Sequence, residues 1–196
     1  MSEKKYIKLK CLGEKGKEGI TYLVKDKKGN EYAMKTFKKT KSSKNLKKEY
    51  DFLKLASEKG ISPKVYDYNL VEKYIVMEKM DSHLYEYIDK HEGKVKIKDQ
   101  KRIIEIFKKL DEINIFHNDP NICNYMLKNN IVYLIDYGLS KEITPKLIKN
   151  CNSKNPNTEL MSIGFILKLK EKNIPEKSYS YIKSILPQKY IELYDL

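Results

Sequence analysis

Arginine is almost missing from this sequence. Arg102 stands alone within a combined Lys and Arg count of 40, so the other 39 basic residues are lysines. The forked guanidinium that reads base edges is therefore nearly absent, and sequence-specific nucleic-acid recognition is not expected. Cysteine is scarce too. Cys11, Cys123 and Cys151 lie far apart, without a C-x-x-C pair or zinc spacing, which argues against a disulfide framework and for reduced thiols inside a cell. No apolar run approaches the length of a membrane span; the longest are 131–135 and 163–167. The opening MSEKKYIKLK lacks the apolar stretch of a secretory signal, so a cytoplasmic or otherwise intracellular protein is expected. Internal repeats and disordered linkers are missing as well.

What is present is a chain of 196 residues, 40% apolar and 34% charged, with a net charge of +13. That is enough apolar residue for one compact domain or two packed lobes that share a cleft. Lysine accompanied by much Asn, Ile and Tyr reflects an A/T-rich genome, with a viral or parasite source in keeping, and much of the charge reads as solvated surface. An acidic partner (protein, nucleic acid or membrane surface) stays open.

Residues 6–12, 21–25 and 31–37 read as strands, the last two joined by a Lys28-Gly29-Asn30 turn. Ser42 or Ser43 caps a helix to about Ser57, and 65–70 and 74–77 form a further pair of strands. After Lys79 the pattern becomes helical. Asp81 or Ser82 caps a short helix to about His91, and 99–114 carries Ile103, Ile106, Phe107, Leu110 and Ile113 on one stripe. Two short strands, 125–127 and 131–135, flank Lys128-Asn129-Asn130. A loop is expected over 150–157, and helices over 158–171, 176–186 and the end.

The chemistry lies in two stretches. His117-Asn118-Asp119 followed by Asn124 puts a carboxylate and an amide on one loop, although HNDPNICN alone reads more readily as a polar turn. Twelve residues beyond Asn124, Asp136-Tyr137-Gly138 follows a short apolar strand. A carboxylate and an amide oxygen are hard ligands of the kind Mg²⁺ takes, with the rest of its shell left to water and phosphate. The order and spacing of these two motifs resemble H-R-D-x-x-x-x-N and D-F-G of the protein-kinase-like superfamily.

That resemblance, over roughly residues 7–170, implies an α+β bilobal protein-kinase-like fold. Its N-lobe (1–80) would be a five-stranded antiparallel sheet with one helix, and its C-lobe (81–196) truncated and mainly helical. It implies an ATP-dependent phosphotransferase, most simply a serine/threonine protein kinase. Asp119 would be the base, Asn124 and Asp136 the ligands of Mg²⁺ or Mn²⁺, and Lys35 of Ala33-Met34-Lys35 the phosphate-binding lysine, paired with Glu49. Gly13, Gly16 and Gly19 would supply the phosphate loop, Leu12 to Gly19. Met77, Glu78 and Met80 would form the hinge, and Ile20 or Thr21, Ala33 and Met126 would close on adenine. Glu18 at the loop tip resembles the acidic, shortened loops of RIO-type and KEOPS-associated kinases. A protein substrate, acidic in keeping with the charge, is the partner implied, with the chain a monomer or part of a complex. A kinase-fold ATPase or assembly subunit, a small-molecule kinase and a noncatalytic nucleotide-binding scaffold remain alternatives.

Several positions depart from the family. Asn118 replaces the arginine that reads an activation-loop phosphate, and Asn121 replaces the catalytic-loop lysine, removing a cation from the transition state. No A-P-E follows Asp136. Glu159, with Gly164 five residues on, resembles the D-x-W-x-x-G helix, and little more than 30 residues follow Gly164, as in a minimal kinase. With Asn118 uncharged, and only Ser140, Thr144, Ser153 and Thr158 as hydroxyls between Gly138 and Glu159, constitutive activity is expected. Phosphatase-treated protein, shown by mass spectrometry to be unmodified, should keep its initial rate. A drop of about tenfold, restored by preincubation with ATP, would reveal a phosphate switch of the kind these residues are read to lack.

Overall fold

The computed structural model describes residues 5–13, 16 and 18–196, so Glu14, Lys15 and Lys17 of the expected phosphate loop, and residues 1–4, lie outside the described residues. The chain divides into two compact units, residues 1–80 and 81–196.

In the first unit, β1 (Tyr6–Cys11), β2 (Gly19–Asp26), β3 (Glu31–Phe37), β4 (Val65–Asn69) and β5 (Tyr74–Met77) form one antiparallel sheet in the order β1-β2-β3-β5-β4. The β2–β3 turn is built by Asp26, whose carboxylate accepts from the amides of Lys28 and Asn30 and from the Asn30 side chain, while Gly29 takes φ +87°. Helix α1 (Ser43–Glu58) is capped by Ser42, whose Oγ accepts from the Asn45 amide. It buries Leu46, Glu49, Leu53 and Ala56 at helical spacing.

Strand parity sorts the sheet's side chains. Cross-strand partners share a face, so Thr21, Leu23, Ala33, Lys35, Ile75 and Met77 lie on one side. Ile20, Tyr22, Val24, Met34, Thr36, Tyr74 and Val76 lie on the other. This second face is a cluster of Val24, Met34, Tyr74 and Val76 covered by Tyr6, Tyr22 and Tyr32. Edge-on ring contacts at 6.1 Å (Tyr6–Tyr32) and 6.3 Å (Tyr6–Tyr74) hold it together.

In the second unit, β6 (Ser82–His83) precedes α2 (Leu84–Lys90) and α3 (Ile97–Glu112). Then come β7 (Ile115–Phe116), β8 (Tyr125–Lys128), β9 (Ile131–Leu134) and β10 (Lys141–Glu142). Helices α4 (Pro145–Cys151), α5 (Ser162–Glu171), α6 (Ser180–Ser184) and α7 (Gln188–Leu193) complete it. Strands β6, β8 and β9 form one small sheet, β7 and β10 another. The stripe on α3 is buried as its spacing requires: Ile103, Ile106, Phe107 and Leu110 are all at 0% exposure. Phe107, Tyr125 and Phe165 stack edge to face at 6.3 and 4.9 Å, joining α3, β8 and α5 into one core. Each such side chain contributes roughly 1.5–3 kcal/mol by burial.

Two local expectations are overturned. The cap of α2 is His83, not Asp81 or Ser82, because Ser82 and His83 pair with Leu127 and Met126 as a short strand. The Asp81 carboxylate instead accepts from the Asn129 amide and tethers the β8–β9 turn. Residues 150–151 belong to α4, which Thr144 caps by accepting from the Leu147 amide, with Pro145 opening the helix. The expected loop is thus confined to 152–155, before a π-turn at Asn157–Met161. Among the described residues no helix is long and apolar enough to cross a membrane.

The Tyr125 hydroxyl is fully buried and has no hydrogen-bond partner among the described residues. Tyr125→Phe should therefore stabilise the protein by about 1 kcal/mol, seen as a higher denaturant midpoint. A loss of similar size would show that the hydroxyl is bonded after all.

Candidate active site

In the second unit, one loop carries Asp119 and Asn124 from β7 to β8, and another carries Asp136 from β9 to β10. The β7–β10 pairing, Phe116 with Lys141 and Ile115 with Glu142, holds together the start of the first loop and the end of the second. A backbone bond from the Ile135 amide to the Asn124 carbonyl, 2.9 Å, ties their other ends. Asp119 and Asn124 are thereby brought to the residue before Asp136.

The Asp119 carboxylate is fixed at both oxygens. Oδ1 accepts from the Asn121 amide at 3.1 Å, and Oδ2 accepts from Asn124 Nδ2 at 2.8 Å. With its nitrogen committed to Asp119, the Asn124 amide has its oxygen left to offer a cation. Asp136 adds a solvent-exposed carboxylate, and its backbone is left-handed, at φ 65° and ψ 70°. Asn118 is left-handed as well, at φ 63°, and donates to the Leu139 carbonyl at 3.3 Å. Asp and Asn are the L-residues that adopt this conformation most readily, which supplies a backbone reason for Asn118 beside its loss of charge.

His117 anchors the loop. It is 0% exposed; its amide donates to Asn157 Oδ1 at 2.9 Å, and its carbonyl accepts from Ser140 Oγ at 3.2 Å. Its ring nitrogens face the Ile135 carbonyl at 3.0 Å and the Asp119 carbonyl at 3.2 Å, and the ring lies edge-on to Tyr137 at 4.9 Å. Burial pushes the imidazole below its ordinary pKa of 6.5, against the pull of these carbonyls and of Asp119 and Asp136. The neutral ring donates to one of its two carbonyls at a time.

Three residues of this support were missed in the sequence: Asp111, Asn157 and Thr158. Asp111, in the last turn of α3, accepts from the amide and Nδ2 of Asn157 and from the amide and Oγ1 of Thr158, at 2.7–2.9 Å. Burial nevertheless raises its carboxyl pKa, with those donors pulling the other way. Asn157 Nδ2 also donates to the Ile115 carbonyl at 2.7 Å. An Asn-Thr pair ahead of an apolar run is a helix-start signal, and it was the legible clue. Glu159, expected to be the acid of this helix, accepts from the Tyr190 hydroxyl at 2.9 Å; the contact with the backbone of His117 belongs to Asn157. A side chain at Gly164 would come within 2.6 Å of Pro120, so α5 packs directly on the loop.

In the first unit, Lys35 Nζ donates to Glu49 Oε1 at 2.7 Å, with Glu49 only 3% exposed. Thr21, Ala33 and Met77 share the face of Lys35, whereas Ile20 lies on the opposite face beside Thr36. The glycines are not equivalent. Gly13 takes φ +85°. The Gly16 amide donates to the Gly19 carbonyl at 2.9 Å. Gly19 pairs with Phe37 in the sheet, and a side chain there would lie 2.1 Å from the Thr36 carbonyl, so close packing accounts for this glycine. At the expected hinge the Glu78 amide is engaged by the Lys64 carbonyl at 2.8 Å, and Met77 and Met80 are buried. Met126 lies in β8 of the second unit.

Against known families, the RIO domain matches residues 6–146, well over half of the chain. No curated protein matches it. The matched stretch contains Lys35, Glu49, Asp119, Asn124 and Asp136 but stops short of Asn157 and Gly164.

Asn157→Ala would leave the Asp111 carboxylate and the His117 amide buried and short of partners. We expect a stability loss of about 3 kcal/mol in denaturant titration, with faster hydrogen exchange at the His117 amide. A loss below about 0.5 kcal/mol would show that the loop is held by other means.

Proposed function

The chain belongs to the RIO domain family, within the atypical protein-kinase-like superfamily, and on that premise we propose that it is an ATP-dependent serine/threonine protein kinase. The observation that carries this reading is the Asp119 carboxylate, held at both oxygens by Asn121 and Asn124. A base must be rigidly aimed at the proton it takes, and these two bonds aim it.

In the reaction, Asp119 accepts the proton of the substrate hydroxyl as its oxygen bonds to the γ-phosphorus. The bond from that phosphorus to the β,γ-bridging oxygen breaks, and ADP leaves with the electron pair. Lys35, oriented by Glu49, binds the α- and β-phosphates. Within the first unit, the Glu78 carbonyl and Met80 amide are read as the partners of the adenine edge, with Ala33 and Thr21 against the ring. Asn124 Oδ1 and the Asp136 carboxylate form an all-oxygen set that fits Mg²⁺ or Mn²⁺, and the exposure of Asp136 leaves room for the waters such an ion retains. When bound, the cation would neutralise charge on the β- and γ-phosphates.

The activation segment supports activity without a phosphate switch. Ser140 is 2% exposed and donates to His117, Thr144 caps α4, Ser153 is 4% exposed, and Thr158 donates to Asp111. Each hydroxyl already has a structural task or is out of solvent.

A second reading, an ATPase within a larger assembly, is favoured by Asn121. Its Oδ1 accepts from the Cys123 amide at 3.0 Å, so the position serves loop geometry and supplies no cation. Labelled ATP incubated with casein or a basic protein separates the two: transfer supports the kinase, phosphate release alone the ATPase. Asp119→Asn should lower transfer by ~10²–10⁴-fold while ATP affinity stays within a few-fold. Retention of more than half the activity would remove Asp119 from the role of base.

A further inference from the structure

The first unit contains a cation that this reading does not use. Lys41 lies between β3 and α1, and its Nζ donates to Glu49 Oε2 at 2.7 Å and to Glu18 Oε2 at 2.6 Å. We propose that Lys41 is a second phosphate-binding lysine, held in reserve by Glu18, whose carboxylate occupies the place of a phosphate until nucleotide displaces it. The inference rests on the reading that the chain binds ATP.

The geometry is an alternating chain of charge. Lys35 takes one oxygen of Glu49, Lys41 takes the other, and Glu18 closes the far end. Both ammoniums also lie over the Phe37 ring, 5.1 and 5.0 Å from its centre, so the two lysines share one surrounding. The Lys41 backbone is fixed: its amide donates to the Lys38 carbonyl and its carbonyl accepts from Lys73 Nζ at 2.7 Å. Lys41 is therefore a placed cation, unlike the many lysines that reach into water.

Exposure decides which link gives way. The side chains of Lys41 and Glu49 are 8% and 3% exposed, Glu18 36%. Breaking Lys41 from Glu49 would strand a buried charge, whereas Glu18 can turn into solvent. Glu18 lies in the glycine loop between Gly16 and Gly19, where a carboxylate and a triphosphate compete for the same ammonium. The triphosphate has the greater charge and more acceptor oxygens. Exchange leaves Lys41 paired on both sides and removes a negative charge from the path of the phosphates.

The test uses the full chain, with Mg-ATP and adenosine as probes in calorimetric titration. Glu18→Gln removes the competitor and should tighten ATP by ~5–10-fold, and Lys41→Met should weaken it by ~10-fold. Adenosine, lacking phosphate, should bind all variants alike. In Lys41→Met/Glu18→Gln the gain from Glu18→Gln should vanish. Without nucleotide, amine acylation followed by peptide mapping should label Lys41 several-fold faster in Glu18→Gln than in the wild type. Unchanged or weaker ATP binding by a folded Glu18→Gln, a gain that persists without Lys41, or unchanged labelling each overturns the inference while the proposed function stands. A wild-type chain that binds no ATP overturns both.

Discussion

One buried amide, Asn157, holds the loop of Asp119 and Asn124 in place. A loop that carries Asp119 and Asn124 on short strands has little sheet to stiffen it: β7 and β10 are two residues each. Its rigidity comes from the backbone of His117, which Asn157 grips at the amide and Ser140 at the carbonyl. Asn157 is itself held by Asp111 at the end of α3, and the same carboxylate serves the start of the segment that leads into α5. Removing any member leaves the others short of partners, so the cluster behaves as a unit. The close approach of Gly164 to Pro120 brings α5 onto the loop it anchors. The family match ends at residue 146, ahead of this helix, although the loop's rigidity depends on it.

The first unit depends on parity. A strand has two faces, and β3 places Lys35 with Ala33 on one of them and Met34 with Thr36 on the other. The second face is sealed by tyrosines, which leaves the first for α1 and its buried Glu49. A carboxylate at 3% exposure is costly unless its charge is met, and two ammoniums meet it, one at each oxygen. Lys35 is thus oriented from outside its own strand. Substituting it would disturb Glu49 and Lys41 as well as any ligand.

Much of this was legible in the sequence where local pattern decides structure. Residues 31–37 and 74–77 match β3 and β5 because alternation and flanking turns bound them on both sides. The α3 stripe was legible because the spacing of its apolar residues admits one face only. What could not be read was fixed by partners distant in sequence. Asp81 has the chemistry of a cap, yet Asn129 claims it because β6 pairs with β8. Ile20 and Thr21 were equivalent candidates until the register with β3 put them on opposite faces. Gly19 fitted a phosphate loop by spacing, whereas the Thr36 carbonyl is what excludes a side chain there. The helix opens on a π-turn at Asn157–Met161, and no periodicity argument foresees a π-turn. Lys41 was hidden by abundance: one lysine among 39 carries no signal until its partners are known.

The departures from the kinase pattern share a direction. Asn118 stands where H-R-D protein kinases carry arginine and Asn121 where the serine/threonine kinases carry lysine, and both amides are absorbed by the loop, through the Leu139 carbonyl and the Cys123 amide. The support at Asn157 is an amide too. At Asn118 and Asn121 neutral amides shape the loop where H-R-D kinases carry cations, while the Asp111 carboxylate anchors it through Asn157. Phosphoryl transfer still concentrates negative charge on the γ-phosphoryl group, and that charge has to be met. If the chain transfers phosphate as proposed, that charge falls to groups outside this loop. Lys41, buried in the first unit and paired with both Glu49 and Glu18, is on the inference drawn above one such group.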